Sequence, residues 1–238
     1  MEDFLVTTYQ NVRSSKRTDV LHQVVLELMK NADPMLNQLN YICEYTLEKD
    51  GFGGTFKIDI VGVDHKGYVK IAILDKAYNS CVNKNIKNAA NTTMGEAARL
   101  MFSPIGAHIE KIVFVSIMPR KAPVFDNQGL VTHIDDVIQA KHRTQIDKVL
   151  QQQYNGKVVT IDLFYDIDDI QQKKSKTEFQ DITVSNITQM PSIYAENHII
   201  QQDEKWVGKT RNEWGKLGVF YRHFFKGKNW NILFVSTS

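Results

Sequence analysis

The segment KIAILDKAYNSCVNKNIKN, residues 70–88, begins as an aliphatic strand and then carries two adjacent charges, Asp75 and Lys76. Charges at the end of a core strand are costly to desolvate, so they either reach water or do chemistry. A second carboxylate, Asp59, interrupts the otherwise apolar run FKIDIVGV (56–63) and must find a cation, a metal ion or water. Carboxylate oxygens suit a hard divalent cation, and such an ion with a nearby ammonium stabilises negative charge that develops in a reaction.

Whether these groups converge depends on the elements that carry them. TFKIDIVGVDHKGYVKIAIL (55–74) reads as a β-hairpin, with Asp64 at the first and Gly67 at the fourth position of a type I turn followed by a left-handed residue. If the turn pairs Val63 with Tyr68, Asp59 stands opposite Ala72. Alternation then puts Lys57, Asp59, Lys70 and Lys76 on one polar face, and Phe56, Ile58, Ile60, Ile71 and Ile73 on the core face. A one-residue bulge at Gly67 instead pairs Asp59 with Ile73 and brings Asp75 and Ala77 onto its face. Both registers stay open, as does a plain cross-strand ion pair between Asp59 and Lys76.

Around the hairpin, DVLHQVVLELMKN (19–31) carries apolar residues at 20, 21, 24, 25, 28 and 29, the stripe of an amphipathic helix with Thr18 or Asp19 as N-cap. YICEYTLEKD (41–50) alternates like a strand before GFGG breaks the chain. A helix is expected over 84–102, a buried strand at KIVFVSIM (111–118), a helix over 133–153 and a strand at KVVTIDLFYDI (157–167). Short strands such as QDITVSNI (180–187) and NWNILFV (229–235) follow among loops. With no repeat, low-complexity tract or linker, one domain over 1–238 is expected, its core at about 19–167 and a C-terminal elaboration at about 168–238.

This order of helix, three strands, helix and strand, with Asp59 on the second strand and Lys76 leaving the third, resembles the PD-(D/E)xK nucleases, particularly the type II restriction endonucleases. The resemblance implies a restriction-endonuclease-like α/β core, a mixed sheet flanked by helices, and a C-terminal region for target recognition or dimerisation. It also implies Mg2+ as cofactor and hydrolysis of phosphodiester bonds in double-stranded DNA at a short sequence. A homodimer is expected, because palindromic targets are usually met by two-fold symmetry.

In that family the aspartate and a second acid two residues before the lysine hold the metal, while the lysine positions or activates water. Here the second position is Leu74, which cannot ligate. Some members fill the gap with a glutamate on the following helix, and GEAAR offers Glu96 with Arg99 one turn later. The expected catalytic set is therefore Asp59, Lys76 and Glu96, with Asp59, Glu96 and Asp75 around the metal. Asp75 would act through its carbonyl or, in the bulged register, its carboxylate. Glu27, in VVLELM, and Glu44, on the first strand, stand where such nucleases sometimes add a further acid. An i, i+3 salt bridge on a helix surface is the plainer use of Glu96 and Arg99.

Asn79, Asn83, Lys84, Asn85, Lys87 and Asn88 cluster at the entry to the second helix, where amides and lysines suit phosphate oxygens or base edges. Capping and turns are the other use of asparagine. In the MPRKAPVF segment (118–125), which leaves the buried strand where related enzymes extend toward DNA, Arg120 is placed to read guanine, with Lys121 beside it.

The 238 residues are 42% hydrophobic and 24% charged, which fits a soluble globular chain. The N-terminus, MEDFLVTTYQ, lacks the features of a signal peptide, and no run approaches the roughly 18 apolar residues of a membrane span, so the cytoplasm is the expected location. Cys43 and Cys81 are too few for a disulfide framework and are expected reduced, in or near the core. A net charge of +2 excludes an indiscriminate polycation, although RSSKR (13–17), PRK (119–121), KHR (141–143), QQKKSK (171–176) and KTR (209–211) are compatible with a phosphate track.

Nucleotide-binding glycine motifs and a nucleophilic serine or cysteine context are missing from the sequence. Two other duties fit the same scaffold: a structure-specific repair or recombination nuclease, and a non-catalytic nucleic-acid-binding module, for which Leu74 speaks most directly.

Overall fold

Valine, isoleucine and phenylalanine fill KIVFVSIM and the runs beside it, and such side chains pack best in strands covered on both faces. The computed structural model describes residues 1–10, 16–128, 130–137, 141–168 and 182–194. In chain order the elements are α1 (Glu2–Gln10), α2 (Lys16–Ala32), β1 (Asn40–Leu47), β2 (Phe56–Val63), β3 (Val69–Ala77), α3 (Val82–Met101), β4 (Lys111–Pro119), β5 (Lys121–Phe125), β6 (Val131–Asp136), α4 (Lys141–Gln153), β7 (Val158–Asp168) and β8 (Thr183–Ser185). The fold is mixed α/β: a six-stranded sheet in the order β1-β2-β3-β4-β7-β8, with β5 and β6 as a separate hairpin.

β1, β2 and β3 form an antiparallel meander, whereas β3, β4 and β7 run parallel. Parallel neighbours need long crossovers, and α3 and α4 supply helices for them. The sheet is covered on both sides. Leu5 of α1 and Leu21, Val25 and Met29 of α2 pack with Ile60, Ile71, Ile73, Val113 and Val115 in one core. Ala97 and Leu100 of α3 and Leu150 of α4 pack with Ile58, Ala72, Leu74, Ile112 and Phe114 in the other.

The expected hairpin turn between β2 and β3 is present. The amide of Gly67 donates to the Asp64 carbonyl at 3.0 Å, and that of Tyr68 to Asp64 Oδ1 at 2.9 Å. Gly67 has φ +85°, the left-handed conformation that a residue without Cβ adopts most cheaply.

Several expectations need correction. α2 starts at Lys16, so Thr18 and Asp19 lie inside its first turn and not at its cap. The expected helix over 133–153 begins only at Lys141, because residues 131–136 are strand β6 paired with β5. Asp126 makes that hairpin: its Oδ1 accepts from the amides of Gln128 and Leu130, both at 2.9 Å. Cys43 is exposed on β1, while Cys81 is half-buried, and neither forms a disulfide. Within the region 168–238, the described residues show β8 pairing with β7. NWNILFV and the basic stretches QQKKSK and KTR lie outside the described residues. No described helix is long and apolar enough to cross a membrane.

Ile73 is fully buried one strand position away from the point where β2 and β3 part. Ile73→Ala is expected to lower stability by about 2–5 kcal/mol, as cavity-forming truncations do. Denaturant unfolding should show a lower midpoint with an unchanged slope.

Candidate metal centre at the end of strand β3

The pairing of β2 with β3 runs from Val63 opposite Val69 to Ile60 opposite Ile73, with a register shift between Gly62 and Val63. Neither expected register is present: Val63 pairs with Val69 and not Tyr68, and a further one-residue shift at Gly62 and Val63, which skips Lys70, brings Ile60 opposite Ile73. Beyond that pair, Asp59 Oδ2 accepts the amide proton of Asp75 at 2.8 Å, so a side chain does the work of a ladder carbonyl.

Asp59 also marks a change of face. Ile60 belongs to the core under α1 and α2, but Ile58 belongs to the core under α3 and α4. The expected single core face of Phe56, Ile58, Ile60, Ile71 and Ile73 is therefore corrected. On β1, Glu44 lies between the pairs Cys43–Ile60 and Tyr45–Ile58 and has φ +55°. A left-handed conformation costs a residue with a Cβ about 1–2 kcal/mol, and such strain is concentrated at functional sites. The two irregular residues, Glu44 and Asp59, lie side by side on adjacent strands.

Helix α2 supplies a group that the sequence analysis did not select. His22 is only 1% exposed and lies on the buried side of α2 with Leu21, Val25 and Met29. Its Nδ1 is 2.9 and 3.0 Å from the two carboxylate oxygens of Asp75, and its Nε2 is 2.9 Å from Glu44 Oε1. Lys57 pairs with the other oxygen of Glu44 from the exposed side. One donor atom from each of His22, Glu44 and Asp59 lies within 4.8 Å of the other two.

Burial sets the electrostatics here. It holds the Asp59 carboxyl above the usual carboxylate range; the Asp75 amide bond opposes this, the Asp75 charge adds to it, and His22 and Lys76 oppose it. Burial likewise raises Asp75, against the hydrogen bond and charge of His22. Three carboxyl groups thus share a partly dry site, where a cation is favoured.

Lys76 faces the other way. Successive residues of a strand point to opposite faces, so Asp75 meets α2 while Lys76 meets α3. Lys76 Nζ lies 3.4 Å from Glu96 Oε1, and Glu96 Oε2 is buried without a hydrogen-bond partner among the described residues. Lys76 still lowers the Asp59 carboxyl through its charge. The expected metal set of Asp59, Glu96 and Asp75 is therefore divided by the strand: Glu96 stands with Lys76, and among the described residues the group that could hold an ion is His22, Glu44 and Asp59. Leu74 is buried in the core under α3 and α4. Of the two further acids, Glu44 is in the cluster, and Glu27 is exposed on α2 outside it.

The residues expected to touch DNA separate into two groups. Arg120 is held by Asp166 at 3.1 Å, the Asn186 carbonyl at 2.9 Å and Thr188 Oγ1 at 3.4 Å. Arg99 is 3.5 Å from the buried Asp50 and lies over the rings of Phe52 and Phe56. Asn83 donates to the Asp136 carbonyl at 2.9 Å, and Asn79 is buried with neither amide atom bonded among the described residues. Lys84, Asn85, Asn88 and Lys121 are exposed.

Two carboxylates and an imidazole that can each turn one donor atom to a common point fit a divalent cation. The same burial predicts a pH effect without metal. A carboxyl raised in the fold binds more protons than the unfolded chain between about pH 4 and its folded pKa, so its contribution to stability falls as pH rises through that window. Asp59→Asn, which keeps an acceptor for the Asp75 amide, removes part of that loss. In chelator, the variant is expected to be more stable than the parent at neutral pH, and the difference should shrink toward pH 4. Denaturant melts across that range test it; a variant less stable at neutral pH would contradict the assignment. No protein-family model, curated protein or solved structure matches the chain, so the reading of the site rests on its own geometry.

Proposed function

We propose that the chain is a Mg2+-type, divalent-metal-dependent endonuclease with a restriction-endonuclease-like core, hydrolysing phosphodiester bonds of double-stranded DNA at a short sequence, as a homodimer. The observation that carries this reading is the cluster of metal donors at one strand end, with a lysine on the opposite face of that same strand end. His22, Glu44 and Asp59 converge where β2 and β3 part, and Lys76 follows Asp75 on β3 with its ammonium beside Glu96.

The antiparallel meander followed by parallel β4 and β7 agrees with the proposed core. A divalent cation would be held by Asp59 and Glu44, and when bound it supplies Lewis-acid polarisation of a phosphoryl oxygen and a more acidic water. Lys76 is 42% exposed, so its ammonium can meet a phosphate oxygen and balance charge on phosphorus. Glu96 orients that ammonium from α3. Lys84, Asn85, Asn88 and Lys121 offer exposed donors for the sugar-phosphate backbone. Two copies would be needed to cut both strands of a palindrome in one encounter.

Phage-sized DNA incubated in Mg2+ or Mn2+, and in EDTA, tests this reading. Discrete metal-dependent fragments are expected, with Lys76→Ala and Asp59→Ala each slowing cleavage about 100-fold or more. Cleavage confined to branched or flapped DNA would favour the structure-specific nuclease. Duplex binding without any cleavage by the parent would favour the non-catalytic module, which buried Leu74 supports.

A further inference from the structure

We infer that His22 is itself a metal ligand through Nε2, oriented by Asp75 at Nδ1, and that this nitrogen makes the centre select a first-row transition dication such as Mn2+ over Mg2+. The inference rests on the metal-dependent reading of this site but not on the reaction or the substrate.

The argument starts with the two ends of one ring. Asp75 has both carboxylate oxygens within 3.0 Å of Nδ1, a fork that favours the tautomer with the proton on that nitrogen. Nε2 of a neutral imidazole then carries a lone pair, and it faces the oxygen of Glu44 at 2.9 Å. Lone pair against carboxylate is repulsive in a buried site unless a cation lies between them. A proton serves that one contact. A dication serves His22, Glu44 and Asp59 together, whose donor atoms are within 4.8 Å of one another.

The neighbouring cations do not meet the same need. Lys57 is 63% exposed and pairs with the other oxygen of Glu44, and Lys76 is held by Glu96 across β3. The carboxylate behind the imidazole is also the arrangement that commonly fixes a metal-binding histidine and strengthens it as a donor.

The donor set decides the ion. Mg2+ takes oxygen ligands and keeps much of its water, whereas imidazole suits first-row transition ions. One nitrogen among carboxylates shifts preference toward those ions without abolishing binding of a harder one.

The experiment uses the full chain without DNA. Mn2+ and Mg2+ affinities are measured by calorimetry, and the Mn2+-loaded protein is examined by pulsed electron paramagnetic resonance for coupling to a directly bound imidazole 14N. Mn2+ is expected to bind about tenfold or more tightly than Mg2+, with a 14N coupling that is lost in His22→Gln. The Mn2+ preference should narrow in that variant. Asp75→Asn should keep the coupling but weaken Mn2+ binding about 10–100-fold. If His22→Gln does not fold, judged by circular dichroism, the parent spectrum and Asp75→Asn still decide the matter.

Mn2+ bound without nitrogen coupling, or Mg2+ bound equally well, would overturn the inference while leaving the proposed nuclease intact. Nitrogen-coupled Mn2+ on a protein that cuts no DNA would sustain the inference and sink the nuclease. No binding of either ion would overturn both.

Discussion

The arrangement depends on one hydrogen bond, from the amide of Asp75 to the carboxylate of Asp59. A buried amide left without an acceptor is costly, and β2 stops pairing with β3 at Ile60 and Ile73. Asp59 supplies the acceptor from its side chain, which lets the two strands part without orphaning the backbone. Beside Asp59 on β1, Glu44 takes a left-handed conformation and meets His22, which reaches from α2 to both Glu44 and Asp75. Without that substitution of side chain for main chain, β2 would continue its ladder and Asp59 would be committed to one face of the sheet.

A sheet covered on both sides gives adjacent residues different neighbours, and the end of β3 uses this to separate charge. Asp75 joins the acids and the imidazole on the α2 side, while Lys76 joins Glu96 on the α3 side. The division keeps the ammonium from collapsing into a simple ion pair with the carboxylates, yet leaves it near enough to influence Asp59. Buried carboxyl groups and a strained glutamate are poor choices for stability alone. They are the features expected where a fold holds a reactive or binding geometry at some thermodynamic cost.

Much of this was legible in the sequence. An aspartate inside FKIDIVGV and a charged pair ending KIAIL announced a polar site on buried strands, and the Asp64 to Gly67 turn was recoverable from turn chemistry. The register was not, because it depends on the shift at Gly62 and Val63 and on the conformation of Glu44, and neither has a local residue signature. His22 is hidden in the sequence because it lies among the apolar positions of an amphipathic helix. Its signal was available: a titratable side chain on the same side as Leu21, Val25 and Met29 must be matched by polar groups from the sheet. The β5–β6 hairpin is hard to see in the sequence because VTHIDD has weak strand character alone, and it pairs with KAPVF only through the turn that Asp126 makes. Arg120 and Arg99 have types suited to DNA, but sequence spacing does not reveal that Asp166 and Asp50 are already their partners.

The central claim is that His22, Glu44 and Asp59 form one cation site at the parting of β2 and β3. Anomalous diffraction from crystals grown with Mn2+, recorded on either side of the manganese absorption edge, tests it most directly. The account predicts a manganese peak in contact with those three side chains, with Asp75 still bonded to His22 Nδ1. A well-ordered cluster with no peak there, or a peak confined to Glu96 on the other side of β3, would contradict it.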